Sequence, residues 1–152
     1  MLFRGINSVS LDAKGRMALP ARVRELLNEV SEGRVVVTID LEKKCLLLYP
    51  LPLWDEIQTQ LEALPNVDPV ARRLQRMLIG HATDLELDGS GRILLPPLLR
   101  DHAEFQKKLI VLGQGKKLEI WSEEHWAAEQ EAHREVGLAD FKSSPSLQSI
   151  SL

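Results

Sequence analysis

The fourteen residues LDAKGRMALPARVR, Leu11–Arg24, recur seventy-six positions later as LDGSGRILLPPLLR, Leu87–Arg100, with seven of the fourteen positions identical. A chain that carries one turn-forming peptide twice is built from two similar units, so its fold has to be read unit by unit and then doubled. The likeness extends past the opening peptide. RVVVTID (34–40) corresponds to KLIVLGQ (108–114), and KCLLLYPLPLW (44–54) to KLEIWSEEHW (117–126), which aligns Tyr49 with Trp121 and Trp54 with Trp126. The expected division is a first unit over residues 1–75, a second over 76–137, and a serine-rich, non-periodic tail over 138–152.

Each copy has the chemistry of a tight turn. Asp12 and Gly15 suit the first and fourth positions of a type I turn, and Gly15 can adopt the left-handed backbone that closes a bulged hairpin. Val9 and Leu11 alternate with polar residues before the turn, as Met17 and Leu19 do after it, which predicts flanking strands. Pro20 then opens a short helix whose apolar stripe is Val23, Leu26, Leu27 and Val30. Asp88, Gly91, Ile93, Leu95 and Pro96 repeat the plan. Each unit thus reads as hairpin, short helix, second hairpin and closing helix. Trp54, Ile57, Leu61 and Leu64 form the stripe of the first closing helix. A further helix, capped by Asp68 and ending at Gly80, is expected to link the units. Units this small have thin cores, so the sister unit or another chain must cover their strand edges, and an oligomer is expected.

Charge separates the two copies. The whole chain carries a net −3, yet residues 1–24 sum to +4 through Arg4, Lys14, Arg16, Arg22 and Arg24 against Asp12. Residues 76–100, holding the second copy, sum to zero. A concentrated basic segment on an acidic body is the arrangement of a polyanion-binding face, although a solvated surface without a partner gives the same pattern. The Asp12/Arg16 and Asp88/Arg92 pairs read first as turn-capping ion pairs.

Catalytic and metal constellations are missing from the sequence. His81, His102, His125 and His133 lie apart, Cys45 is the only cysteine, and no CxxC, HExxH, GxSxG or phosphate-loop motif occurs. His102 reads as a core or interface residue. The expectation is therefore no enzyme, no cofactor, no metal and no small-molecule substrate. No apolar run is long enough for a membrane span and no secretory leader opens the sequence, so a cytoplasmic protein is expected.

The doubled DAKGR…LP and DGSGR…LP, together with FRG at Phe3–Gly5, PVARRLQRMLIGHA and GQGKKLEIW, resemble the MraZ family over nearly the whole chain. That resemblance implies an α+β, mainly β fold made of two tandem AbrB-like swapped-hairpin barrel units. It implies a ring of identical subunits that binds double-stranded DNA at G-rich direct repeats upstream of the bacterial division and cell-wall gene cluster. Such a protein would associate with the nucleoid and act mostly as a repressor, including of its own promoter. On this reading Lys14 and Arg16 enter the major groove, where arginine suits guanine, while Arg4, Arg22 and Arg24 hold phosphates. Sequence does not separate reader from anchor. Asp12, Gly15, Asp88, Gly91 and Arg92 fall to the turns, with the second unit building the assembly. The alternative is a ring or protein-interaction module without specific DNA binding.

Overall fold

The computed structural model describes residues 3–151, without the side chains of residues 138 and 139. The outermost residues of the expected segments 1–75 and 138–152 therefore lie outside the described residues. In chain order the elements are β1 (Ile6–Ser10), β2 (Arg16–Ala18), α1 (Ala21–Ser31), β3 (Arg34–Ile39), β4 (Leu46–Pro50), α2 (Leu51–Glu62) and α3 (Pro69–His81). The second half repeats most of this as β5 (Thr83–Glu86), β6 (Arg92–Leu94), α4 (Pro97–His102), β7 (Lys108–Gly113), β8 (Leu118–Ser122) and α5 (Glu123–Arg134). The fold is α+β and mainly β at its centre.

The strands exchange partners between the units. Six form one antiparallel sheet in the order β1-β7-β8-β4-β3-β5, while β2 and β6 pair in a separate two-stranded ribbon. The order is symmetric about the β8–β4 contact: β1 lies outside β7 as β5 lies outside β3. The expected first hairpin is thus only a turn. A single bridge, Leu11 to Met17, closes it. Its arms then part, β1 pairing with β7 (Val9 opposite Leu109) and β2 with β6 (Met17 opposite Ile93). The exchange answers part of the thin-core problem, because β7 and β3 each have an edge covered by a strand of the sister unit, while β1 and β5 end the sheet.

Alternation along the strands sorts side chains to two faces. Val35, Val37, Ile39, Leu46, Leu48, Leu109, Val111, Leu118 and Ile120 face the ribbon, where Met17 and Ile93 complete a closed core with Leu27 of α1 and Leu99 of α4. The opposite face is covered by helices. Val36, Leu47 and Tyr49 pack under α2 and α3, with Trp54 and Leu61 of α2 buried there. Ile110, Trp121 and Cys45 pack against Trp126 of α5. The aligned aromatic pairs occupy equivalent places, with ring centres 5.7 Å apart for Tyr49–Trp54 and 5.5 Å for Trp121–Trp126.

Two boundaries differ from expectation. Helix α3 opens on Asp68, whose carboxylate accepts from the Val70 N–H, but it runs through Gly80 to His81. Glycine ends a helix when it turns left-handed, and Gly80 is not among the positive-φ residues. The helix stops instead where Ala82 becomes extended and leads into β5. Within the tail, residues Leu138–Ser143 form a short helix, α6, and Pro145–Leu147 a single 3-10 turn. Ser and Pro densities that break long periodicity still permit one helical turn.

Because β1, β2 and β3 each pair with a strand of the second unit, a fragment of residues 1–75 lacks its sheet partners. The fragment is expected to show no cooperative thermal transition by circular dichroism, whereas the full chain unfolds in one.

Candidate nucleic-acid interface

Each repeated turn is knotted by one carboxylate. Asp12 Oδ1 accepts from the backbone N–H groups of Lys14 (3.0 Å) and Arg16 (2.8 Å), and its Oδ2 accepts from Arg16 Nε at 2.8 Å. The Gly15 N–H donates to the Asp12 carbonyl at 3.0 Å, closing the type I turn. Asp88 repeats the pattern with Ser90 N, Arg92 N and Arg92 Nε at 2.9, 2.9 and 3.1 Å. Spacing alone explains this: a short carboxylate at the first turn position reaches the N–H groups two and four residues on. The same bonds set the charge state. Donation from the Arg16 backbone N–H, followed by its side chain, holds the Asp12 carboxyl below the usual carboxylate range, and Arg92 does likewise for Asp88.

The two turns brace each other across the ribbon. The Leu19 N–H donates to the Gly91 carbonyl (3.1 Å) and the Leu95 N–H to the Gly15 carbonyl (2.9 Å). Arg24 reaches from α1 to the sister turn, its Nη1 donating to the Ser90 carbonyl at 3.2 Å. Arg100, its repeat partner, donates from Nε to the Leu95 carbonyl at 2.9 Å. Glycine is required beneath both arginines. Gly15 has φ +90° and a Cβ there would stand 2.9 Å from the Arg100 guanidinium. Gly91 has φ +73°, and its Cβ would overlap the Arg24 side chain.

Alternation within the ribbon turns Met17 and Ile93 inward, leaving Arg16, Ala18, Arg92 and Leu94 on the outer side. The outer residues make a narrow basic platform with an apolar spot, Leu94 being 53% exposed. Lys14 stands exposed at the tip of the first turn, and Arg22 is exposed on α1. Arg24 sits beside the group but is half-buried and tied to Ser90. Arg4 is elsewhere. It precedes β1, next to the Phe3–Gly115 bridge, and eight residues of extended chain put it roughly 25 Å from Asp12. Sequence reading missed the bracing role of Arg24 and Arg100; both end their repeats, and that matching place was the available signal.

Other polar groups come together away from the ribbon. Donor atoms of Asp40, Cys45 and Glu119 lie within 4.8 Å of one another. Burial, then Asp40 and Glu119, push the Cys45 thiol up. His102 is half-buried with its ring 6.0 Å from His81, and burial lowers its pKa. Among the described residues no helix is long and apolar enough to cross a membrane.

Two outcomes follow from the turns. Gly91→Ala is expected to destabilise the fold by about 1–3 kcal/mol, read from urea unfolding, through left-handed backbone strain and the Arg24 overlap. The depressed Asp12 and Asp88 carboxyls contribute stability that is complete above about pH 4 and is lost as pH falls through their native values. An NMR titration should place both midpoints below those of the unfolded chain, and Asp12→Asn should flatten part of the acid-side loss.

Comparison with known proteins agrees with the doubled architecture. Residues 2–77 and 78–142 each match the family description "MraZ protein", which also calls the family antitoxin-like. A "Transcriptional regulator MraZ" of Marinomonas sp. (strain MWYL1) is 55% identical over 151 residues, covering 99% of this chain and 100% of that one. Its namesake in Hydrogenovibrio crunogenus is 51% identical over 153 residues, covering 100% and 99%. That of Coxiella burnetii (strain RSA 493 / Nine Mile phase I) is 48% identical over 156 residues, covering 99% and 100%. Two tandem matches and full-length relatives near half identity make the conclusion plain: this chain belongs to the MraZ family.

Proposed function

We propose that the protein is a transcriptional regulator, not an enzyme, that binds double-stranded DNA through the ribbon and its two turns. The target is a set of G-rich direct repeats upstream of the division and cell-wall genes, its own promoter included, where it represses. The observation that carries this reading is the outward platform of Arg16 and Arg92, held in place by Asp12 and Asp88, with Lys14 projecting beside it. A two-stranded ribbon fits the major groove, and a guanidinium whose Nε is fixed on a carboxylate still has its two terminal nitrogens free for guanine O6 and N7. Arg16 is the reader in this scheme. Arg22 holds phosphate, Arg24 locks the sister turn while lying near the backbone of the duplex, and Arg4 meets phosphate only at a distance from the ribbon.

The first unit leads because Lys14 faces the polyanion where the second has Ser90. The second unit supplies the other half of the ribbon and contributes to assembly. Several subunits in a ring would engage several repeats, making each contact after the first effectively intramolecular. The relatives' printed name, transcriptional regulator, supports the class of function. A nucleoid-associated cytoplasmic protein is the matching location. Cofactor and small-molecule substrate have no part in this mechanism.

The test is fluorescence anisotropy on DNA carrying G-rich direct repeats and on scrambled DNA of equal length, across a salt series. Arg16→Ala is expected to lose roughly 1–3 kcal/mol of discrimination between the two. Arg92→Ala should lose less, and Lys14→Ala should weaken both DNAs alike while lowering the salt slope. Equal affinity of the wild-type protein for repeats and scrambled DNA would leave the ring or interaction module as the better reading.

A further inference from the structure

The outer side of the ribbon is not uniformly charged. In register, Arg16 stands opposite Leu94 and Ala18 opposite Arg92, so each turn's arginine has an apolar neighbour supplied by the sister unit. The two neighbours differ in size. Leu94 is 53% exposed and belongs to none of the apolar clusters among the described residues, the core beneath it being closed by Ile93. Single exposed leucines are ordinary on a protein surface. This one is set apart by its place, with Arg16 across the ribbon and Arg92 on its own three-residue strand.

The repeat shows how the two turns have diverged. Lys14, Ala18 and Arg22 of the first unit correspond, at the offset of seventy-six, to Ser90, Leu94 and Leu98 of the second. Two charges able to hold phosphate are missing from the second copy, and a small outward side chain has become a large one. Without those charges the second half of the ribbon has little to offer the sugar–phosphate backbone. Its addition is hydrocarbon at the level where bases are read. In the major groove the apolar feature of a base edge is the C5-methyl group of thymine. A leucine set between two guanidinium groups lies in surroundings that suit a polyanion, not an apolar protein face.

We propose that Leu94 is a specificity-determining residue that packs on the C5-methyl of a thymine beside the guanine read by Arg16. Residues directly opposite in an antiparallel pair have Cβ atoms about 5 Å apart, and successive base pairs are spaced by about 3.4 Å. The thymine therefore lies within one or two base-pair steps of that guanine, on either strand. The Asp12 carboxylate holds Arg16 Nε and so fixes the distance between the two contacts. Ala18, beside Arg92, lacks the outer carbons of leucine, so the combined reading of guanine and methyl belongs to one end of the ribbon. This inference rests on the DNA reading proposed above and deepens it, naming a second base and the residue that reads it.

Replacing thymine with deoxyuridine removes the methyl and leaves every base-pair hydrogen bond in place. Fluorescence anisotropy compares the wild type, Leu94→Ala and Leu94→Met on G-rich repeat DNA made with thymine or with deoxyuridine, and circular dichroism checks that both variants fold. The wild type is expected to bind the deoxyuridine DNA about fourfold more weakly for each repeat engaged, the value of one buried methyl. Leu94→Ala should bind both DNAs alike, at the level the wild type shows on deoxyuridine, whereas Leu94→Met keeps the reach and the preference. Single deoxyuridine substitutions should place the effect within about two base pairs of the guanine whose contribution Arg16→Ala removes. A wild type that binds both DNAs alike, or a Leu94→Ala variant that keeps the preference, overturns the contact. So does a Leu94→Ala variant with unchanged DNA binding and a lower mass by light scattering, which would make a second copy of the chain the occupant of this spot. A wild type indifferent to repeats and scrambled DNA gives a separate result, overturning the DNA reading itself and this inference with it.

Discussion

Everything in this structure depends on an exchange of strands inside one chain. Strands β2 and β6 are three residues each, too short to stand alone, and they persist because Met17 and Ile93 close the core from the ribbon side. Pairing them brings both turns together, and only then can Arg24 bond to the sister turn at Ser90 and Arg100 lie over Gly15. Removing the exchange would leave two sheets with open edges and two turns without backing. The core and the candidate interface are therefore the two sides of the same ribbon.

The division of the sheet into two working faces follows from the same constraint. Alternating strand residues place a large, closed apolar core on the ribbon side and two smaller aromatic clusters on the helix side. One side holds the turns, the other the covering helices.

Much of this was legible in the sequence. The repeat, the turn chemistry of Asp12 and Gly15, the helical stripes and the aligned Tyr49–Trp54 and Trp121–Trp126 pairs all follow from local spacing. Partner choice does not. Nothing in the alternation of Val9 and Leu11 says whether the strand pairs with its neighbour or with β7, because either arrangement buries the same residues. Gly80 was misread because a glycine after an apolar stripe can end a helix or simply continue it. For the candidate interface, Lys14 and Arg16 were visible as charge, whereas the placement of Arg92 on the same ribbon and the bracing by Arg24 required the tertiary pairing.

Covalent fusion of the two units has a consequence for symmetry. Two identical separate units exchanging strands would present two identical turns and would be indifferent to direction along a duplex. Joined in one chain, the turns have been free to diverge, Lys14 on one and Ser90 on the other, so the subunit has a front and a back. An object with polarity suits operators whose elements all run the same way, and it can be stacked side by side without inverting alternate members.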